Sequence, residues 1–499
     1  MLRFQLTLSL SLLASFAGCS SPSLDGTNFS CESDADCTDG KVCGARGGTN
    51  ICLMPNTTDI VIGMSAPLQG ASADLGVEMR RGVNALFSRV NAEGGVFGRQ
   101  IFLNCLNDNY DPALALANTR QLLDIQQQVP DLEQPDVRGP SAVLALLGSV
   151  GTPPMLETAP IATKNRTVFF APFTGAQKYL RDGTNSPYVY NLRAGYYQET
   201  DAIVDYLSTM RTPRVINGAD SYKRIIAFTQ RDSYGDAGYL GLVNSYNTRI
   251  GPLPQPDPMA PNPSIRRVQY DRDNLESVSP AITQTQQMLR EVLAEAVDTP
   301  SVAIVMVDTY QPGNRFVREM KDWLNGDRSR ALGIDVVFIH LSFVGSDALA
   351  NLLTSAPATY THIITQEKKS YAAGVMVTQV VPYYKDNLPG LTQFRNDMAN
   401  LDADVGQPTF TSLEGYLGAK LFVEALKRNG AALDGESLVH TLDTKIVDVD
   451  LGIGVPLNFS VQNHQASDSV WGSEMQTDGS FSIPFVWDPA NKIVAAAVP

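Results

Sequence analysis

The sequence predicts an α/β protein built as two doubly wound parallel-sheet lobes in series, preceded by a small cysteine-rich module. From Asp59 onward, short β-branched runs alternate with amphipathic stretches, the pattern of repeated β-α-β units covered by helices on both faces. That alternation occurs as two successive sets, which predicts two lobes rather than one long sheet. Five of the six cysteines (Cys19, Cys31, Cys37, Cys43 and Cys52) lie ahead of it, leaving Cys105 inside. At roughly 150 residues per domain, 499 residues allow two or three domains.

Residues 1–18 carry one arginine, an apolar run around Leu6–Leu13 and then small residues. This is the pattern of a secretory signal, too short for a stop-transfer helix. Its end, Phe16-Ala17-Gly18-Cys19, resembles the bacterial lipobox, which implies cleavage before Cys19 and lipid attachment to it. Phe16 stands where an aliphatic residue is usual, and ordinary cleavage beside an incidental cysteine is the competing reading. Ser20 points to the outer rather than the inner membrane by the enterobacterial sorting rule. The expectation is an exported, membrane-anchored lipoprotein facing the periplasm. No later segment is apolar and long enough to span a bilayer.

Residues 19–57 read as a lipidated linker and a stapled spacer. Cys31, Cys37, Cys43 and Cys52 fall in a polar, glycine-containing stretch, which predicts two disulfides in a module poor in core. Three pairings are open. A four-thiolate zinc site competes, but metal knuckles favour CxxC pairs and none occurs. Cys105 fits a buried strand position without chemistry.

In the first set, strand Asp59–Gly63 precedes a helix from about Gly76 to Asn91, where Val83, Leu86, Phe87 and Val90 form one apolar face. Strand Gln100–Leu106 follows. Asp111-Pro112 opens a helix, Asp as cap and Pro at the first turn. Strand Ala142–Leu147, helix Met155–Ala162 and strand Thr167–Ala171 complete the set. The second set runs through helix Thr200–Met210, strand Arg224–Phe228, helix Ile282–Val297, strand Val302–Val307 and helix Arg315–Leu324. It ends with strand Val336–Leu341, a short helix at Asp347–Leu353 and strand Thr361–Thr365. Loops Gln128–Pro140 and Pro252–Pro263, the latter with six prolines, read as surface excursions. Ligands of such sheets sit beyond the carboxyl ends of the strands.

Composition excludes some functions. A net charge of −14, from 38 Lys+Arg against 52 Asp+Glu, disfavours nucleic acid, whose phosphates need clustered positive charge. The four histidines lie far apart in sequence, against a histidine metal site. There is no GxSxG elbow, P-loop or GxGxxG spacing, so neither an enzyme nor a dinucleotide or other cofactor is expected.

The stretch from Ile62-Gly63-Met64-Ser65-Ala66-Pro67 to Gly76 resembles the opening of type I periplasmic binding proteins of the leucine/isoleucine/valine-binding class. So does Val90-Asn91-Ala92-Glu93-Gly94-Gly95-Val96-Phe97-Gly98-Arg99. Asn109-Tyr110-Asp111-Pro112, Leu147-Gly148-Ser149-Val150-Gly151-Thr152, Asp232-Ser233-Tyr234-Gly235 and Glu414-Gly415-Tyr416-Leu417-Gly418-Ala419 follow in the family's order. The resemblance implies a flytrap joined by crossover strands, with lobe one at 58–195 plus 380–447 and lobe two at 196–379 plus 448–499. Crossings are expected near Arg193–Tyr197, near Val377–Pro382 and from about Asp448.

By the same resemblance, Thr152 is the hydroxyl that receives the ligand at a helix start, suited to a carboxylate. Phe173 and Thr174 belong to the next ligand segment, whose usual hydroxyl falls on Gly175. Tyr234 and Tyr310 match tyrosines that cover the ligand. A plain helix cap at Thr152 and half-buried surface aromatics are the competing readings. Leu75 replaces a wall tyrosine, and Ser342 falls where an acid pairs with the ligand's ammonium. Glu199 and Asp308 are the candidate substitutes. The implied function is a solute-binding lipoprotein that closes on a small ligand, an amino acid or related polar or carboxylate molecule, and presents it to an ABC-transporter permease. The alternative is a lipid-anchored sensor or interaction protein that keeps the fold without transport.

Overall fold

Two open sheets, one of five strands and one of eight, organise the chain in the computed structural model. It describes residues 30–38, 40–46, 49–177, 181, 183, 186–216, 224–251, 259, 264–295, 299–401, 406–488, 490 and 493–495. The export signal, Cys19, Ser20 and most of the 252–263 loop lie outside the described residues. No described helix is long and apolar enough to cross a membrane.

The cysteine module is a hairpin of β1 (Val42–Arg46) and β2 (Thr49–Leu53). Its pairing is Cys31–Cys43 and Cys37–Cys52, so the thiols are consumed and no zinc reading remains for them. Asn56 ties the module's exit to the first lobe, its Nδ2 donating to Leu433 O at 3.1 Å and its backbone N to Ala431 O at 3.3 Å.

The first lobe begins with β3 (Ile60–Ala66), which is buried from Ile62 onward on both faces, as a central strand requires, with Val61 exposed near its start. The helix α1 (Ala73–Ala92) buries Val83, Leu86, Phe87 and Val90 as its spacing predicts. A Cβ at Gly82 would meet Ser412 O at 1.9 Å, so glycine is what lets α1 lie directly on a later helix. β4 (Ile101–Asn107) follows as an edge strand, and Cys105 on it is only half-buried. α2 (Pro112–Leu122) is capped by Asp111, which accepts from Ala113 N and Leu114 N at 2.8 and 2.9 Å. A small hairpin, β5 (Ile125–Gln127) with β6 (Val137–Arg138), anchors the proline-containing loop. Then come β7 (Ala145–Leu147), α3 (Thr152–Lys164), β8 (Val168–Phe170) and β9 (Val189–Tyr190). The sheet order is β4-β3-β7-β8-β9, parallel throughout.

After β9 the chain enters the second lobe through α4 (Tyr196–Asp205), which continues as a π-turn over Tyr206–Met210. There follow β10 (Ile225–Gln230), α5 (Ser233–Arg249), β11 (Ile265–Tyr270), α6 (Val278–Glu295) and β12 (Ser301–Val307). Next are α7 (Tyr310–Asn325), α8 (Arg328–Gly333), β13 (Asp335–His340) and α9 (Ser346–Thr354). The strand expected at Thr361–Thr365 is instead part of a hairpin, β14 (Thr359–Thr361) with β15 (Lys368–Ser370), whose polar residues leave it outside the main sheet. β16 (Met376–Gln379) closes the parallel part.

The chain then returns to the first lobe as α10 (Pro389–Leu401), α11 (Phe410–Asn429) and α12 (Gly435–Lys445), with α11 lying along α1. β17 (Val449–Asp450) and β18 (Pro456–Leu457) form another hairpin. The last crossing was expected from Asp448, yet this segment stays with the first lobe. Phe459 packs on Phe170 and Tyr190, and Asn191 bridges to Gln465. The passage comes between Ala466 and the start of β19 (Val470–Met475), which joins the larger sheet. β20 (Phe481–Asp488) and β21 (Ile493–Ala495) complete it. The second sheet is therefore mixed: β11-β10-β12-β13-β16 is parallel, and β19, β20 and β21 add antiparallel. The turn between β19 and β20 carries Asp478-Gly479, with Gly479 at φ +85°, a hairpin connection that needs no crossover helix.

Candidate functional site

The lobes meet where the chain turns from strands into helices. After β7, Gly151 sits at φ +101°, and a Cβ there would strike the Tyr110 ring at 2.2 Å. That turn starts α3 at Thr152, whose next two residues are prolines without N–H groups. The polar atoms at this helix start therefore belong to Thr152 itself. Its hydroxyl lies 2.6 Å from the Thr174 hydroxyl, which also accepts from Ala176 N at 3.2 Å. Both threonines are fully buried.

Beside them is an aromatic cluster that spans the lobes. Phe343 of the second lobe packs between Phe173 and Tyr110 of the first, with centroids 5.1 and 6.0 Å away, and against Tyr234 at 4.7 Å. Tyr234 is wholly buried rather than a half-buried surface ring, and its hydroxyl donates to Asp308 O at 3.1 Å. Tyr310 opens α7 and bridges the lobes, its hydroxyl accepting from Asp74 N at 3.4 Å. Its neighbours there are Leu75 and Gly345 rather than Thr152.

Of the two acids that could have held an ammonium, Glu199 is fully engaged, while Asp308 keeps one buried oxygen, Oδ2, without a hydrogen-bond partner among the described residues. Glu199 accepts from Ser342 N at 2.8 Å, Ser342 Oγ at 3.0 Å, Thr378 Oγ1 at 2.5 Å and Arg193 at 3.0 Å. Arg193 also donates to Ser342 Oγ, pairs with Glu414 at 3.4 Å and lies over the Phe173 ring. Burial opposes its charge, but Glu414 and Glu199 outweigh that and hold the guanidinium above its ordinary range. Burial pushes Glu414 up to about 7 against the pull of Arg193. Asp308 is fully buried beside His340 Nδ1 at 2.9 Å, with burial raising its pKa.

An interlobe cavity of about 970 Å³ opens between α3 and α5. Its walls include Thr152 and Leu156 of α3, Arg181, Leu240 of α5, and Gln465 and Asp468 of the last crossing. Of the residues expected to bind ligand, Thr152 lines this cavity. Thr174 touches Thr152 from behind, Phe173 and Tyr234 belong to the aromatic cluster, and Ser342 with Glu199 forms the buried acid cluster. Sequence reasoning missed Arg181, Arg193 and Phe343. Arg193 is expected there only as the start of a crossing and Phe343 only as the neighbour of Ser342, and neither sits in a spacing that signals its role.

A family model described as periplasmic binding protein matches residues 59–248 and 346–480. A curated relative, a Leu/Ile/Val-binding protein homolog 2 of Brucella abortus strain 2308, is 40% identical over 76 residues, 15% of this chain and 19% of the relative. The match thus spans about a fifth of that protein's length. Among solved structures, a possible leucine/isoleucine/valine-binding protein from Rhodopirellula baltica SH 1 superposes with a TM-score of 0.66 at 28% identity, covering 85% of this chain and 96% of that one. A branched-chain amino acid transporter substrate binding protein from Streptococcus pneumoniae, in complex with isoleucine, shares the fold at a TM-score of 0.60 and 15% identity, over 88% and 100% of the chains.

Proposed function

Because this chain belongs to the type I periplasmic binding protein family, a non-enzymatic substrate-binding family that works outside the cytoplasm, we propose that it is a solute-binding protein that closes its lobes on one small polar or carboxylate-bearing molecule. The observation that carries this reading is the cavity whose walls come from both lobes, Thr152 and Leu156 on one side and Leu240 on the other. A ligand held from both sides gains contacts only in the closed form, and that differential affinity is what drives closure. The closed form is then received by an ABC-transporter permease, and Cys19 carries the lipid that keeps the protein at the outer membrane.

Small-angle scattering with and without a probe that raises the melting temperature tests the core of this reading. Binding should shrink the radius of gyration, and binding without any change in shape overturns closure. Mass spectrometry of the amino-terminal peptide from the membrane fraction tests the lipid on Cys19. Uptake by proteoliposomes carrying the partner permease separates transport from the sensor alternative, in which ligand binds and nothing is delivered.

A further inference from the structure

The charges around the interlobe cavity restrict its ligand beyond the general reading, on which this inference rests. An ammonium-bearing ligand needs a carboxylate to accept it, because an unpaired buried cation is costly. Two of the inner carboxylates, Glu199 and Glu414, already share the protein's own cation, and Asp308 lies beside His340 away from the residues that line the cavity. Arg193 is fully buried, pairs with Glu199 at 3.0 Å and Glu414 at 3.4 Å, and leaves no lone pair of Glu199 without a donor once Ser342 and Thr378 are counted. Arg193 thus occupies the place a ligand's ammonium would take.

On the cavity wall the balance is reversed. Arg181 is 6% exposed and forms no ion pair among the described residues. Its hydrogen bonds go to neutral oxygens: Ala176 O at 3.0 Å, Arg193 O at 2.7 Å, Thr174 O at 2.8 Å and Gln465 Oε1 at 2.5 Å. Burial, with the nearby charge of Arg193, lowers its pKa to about 9. Asp468 reaches it only through Gln465, whose amide nitrogen donates to Asp468 Oδ1. Asp236 on the opposite wall is held by Arg267 at 2.8 Å. The starts of three helices also open on this space, α3 at Thr152, α4 at Tyr197 and Gln198, and α5 at Ser233, and their dipoles add positive potential there. Leu156, Ala237 and Leu240 supply an apolar wall beside the charged end.

We propose that the ligand is an organic carboxylate with an apolar body and no ammonium group, its anionic end facing Arg181 and Thr152 and its apolar body lying along Leu156 and Leu240. The cavity takes a molecule larger than one amino acid. An anion there supplies the ion-pair partner that Arg181 lacks among the described residues, whereas a ligand's ammonium would meet one wall acid held by Arg267, Asp236, and one that accepts only from the Gln465 amide among those residues, Asp468.

Calorimetry on the full chain with matched probes tests this. The panel pairs leucine with 4-methylpentanoate and 3-methylbutylamine, and phenylalanine with 3-phenylpropanoate, and adds octanoate. At least one carboxylate should bind ten times or more tightly than its amino acid, and the amine should not bind. Arg181→Gln should lose at least tenfold of the carboxylate affinity. Asp468→Asn, which removes a negative charge from the wall, should tighten carboxylate binding, and unchanged or weaker binding overturns the proposal where the arginine variant fails to fold. Amino acids binding as tightly as their carboxylates would overturn the proposal and leave the solute-binding reading standing. No binding by any probe counts against both.

Discussion

The guanidinium of Arg193 and the carboxylate of Glu199 lie 3.0 Å apart with neither side chain exposed to solvent. Removing one partner of a buried pair strands the other charge, at a cost of roughly 3–5 kcal/mol. Arg193→Met leaves two acids, Glu199 and Glu414, without their cation. It should lower unfolding stability by that amount in urea titrations. Arg193→Met combined with Glu199→Gln and Glu414→Gln should recover much of the loss, because no charge is then stranded. A triple variant no more stable than the single one would show that the arginine acts by packing on Phe173 instead.

The Thr152 and Thr174 hydroxyls, 2.6 Å apart, act in different ways. Thr174→Val leaves Thr152 and the Ala176 N–H without their partner, so it should cost about 1–3 kcal/mol of stability. Thr152→Ala removes the hydroxyl that lines the cavity, and should weaken the best-binding probe about tenfold without unfolding the protein. Tyr310→Ala removes a contact between the lobes and should also weaken binding, through closure. Unchanged affinity in both of these variants, by calorimetry, would sink the proposed cleft.

The cysteine module meets the first lobe through Asn56 and the turn between α11 and α12. Its disulfides join residues 12 and 15 positions apart, loops whose closure contributes about 3 kcal/mol each to the module itself. Reduction should speed amide exchange across residues 31–52 while the melting of the lobes stays within a few degrees. A large drop in lobe melting would make the module part of the main fold.

Much of this architecture is legible in the sequence because its signals are local. The Asp111 cap, the apolar face of α1 and the buried run of β3 each follow from residues close in the chain. The misses have a common cause. α5 has small residues and tyrosines scattered around it, with Gly235, Gly238 and Gly241 fitting close neighbours, so no amphipathic stripe marks it. β19, β20 and β21 become antiparallel members of the second sheet through a pairing with β16 nearly a hundred residues away in sequence. In the site, Thr152 is readable as a helix start, but the matching of Glu199 by Arg193, Ser342 and Thr378 depends on three separate segments meeting. Arg181 gives no sign in sequence that carbonyls will surround it.

Asp347 supplies a pH dependence with a definite sign. It begins α9 in the second lobe and reaches the first, where Oδ2 accepts from Phe410 N at 3.0 Å at the start of α11 and Oδ1 accepts from Tyr384 at 2.8 Å. Burial raises its pKa to about 6, with Glu78 adding to that effect and the two hydrogen bonds and Lys385 opposing it. Opening the lobes returns the carboxyl to water and toward its ordinary value of 3.8. The closed form therefore binds the proton more tightly, and closure is favoured below pH 4. That advantage is lost as pH rises from about 4 through 6, a change on the order of 1–3 kcal/mol. Ligand-free protein should show a larger radius of gyration at pH 8 than at pH 5 by small-angle scattering. Asp347→Asn, which does not titrate, should show a smaller difference between the two pH values, the remainder belonging to Glu414, which burial holds at about 7. A wild-type radius that is unchanged, or larger at pH 5, would remove Asp347 from the control of closure.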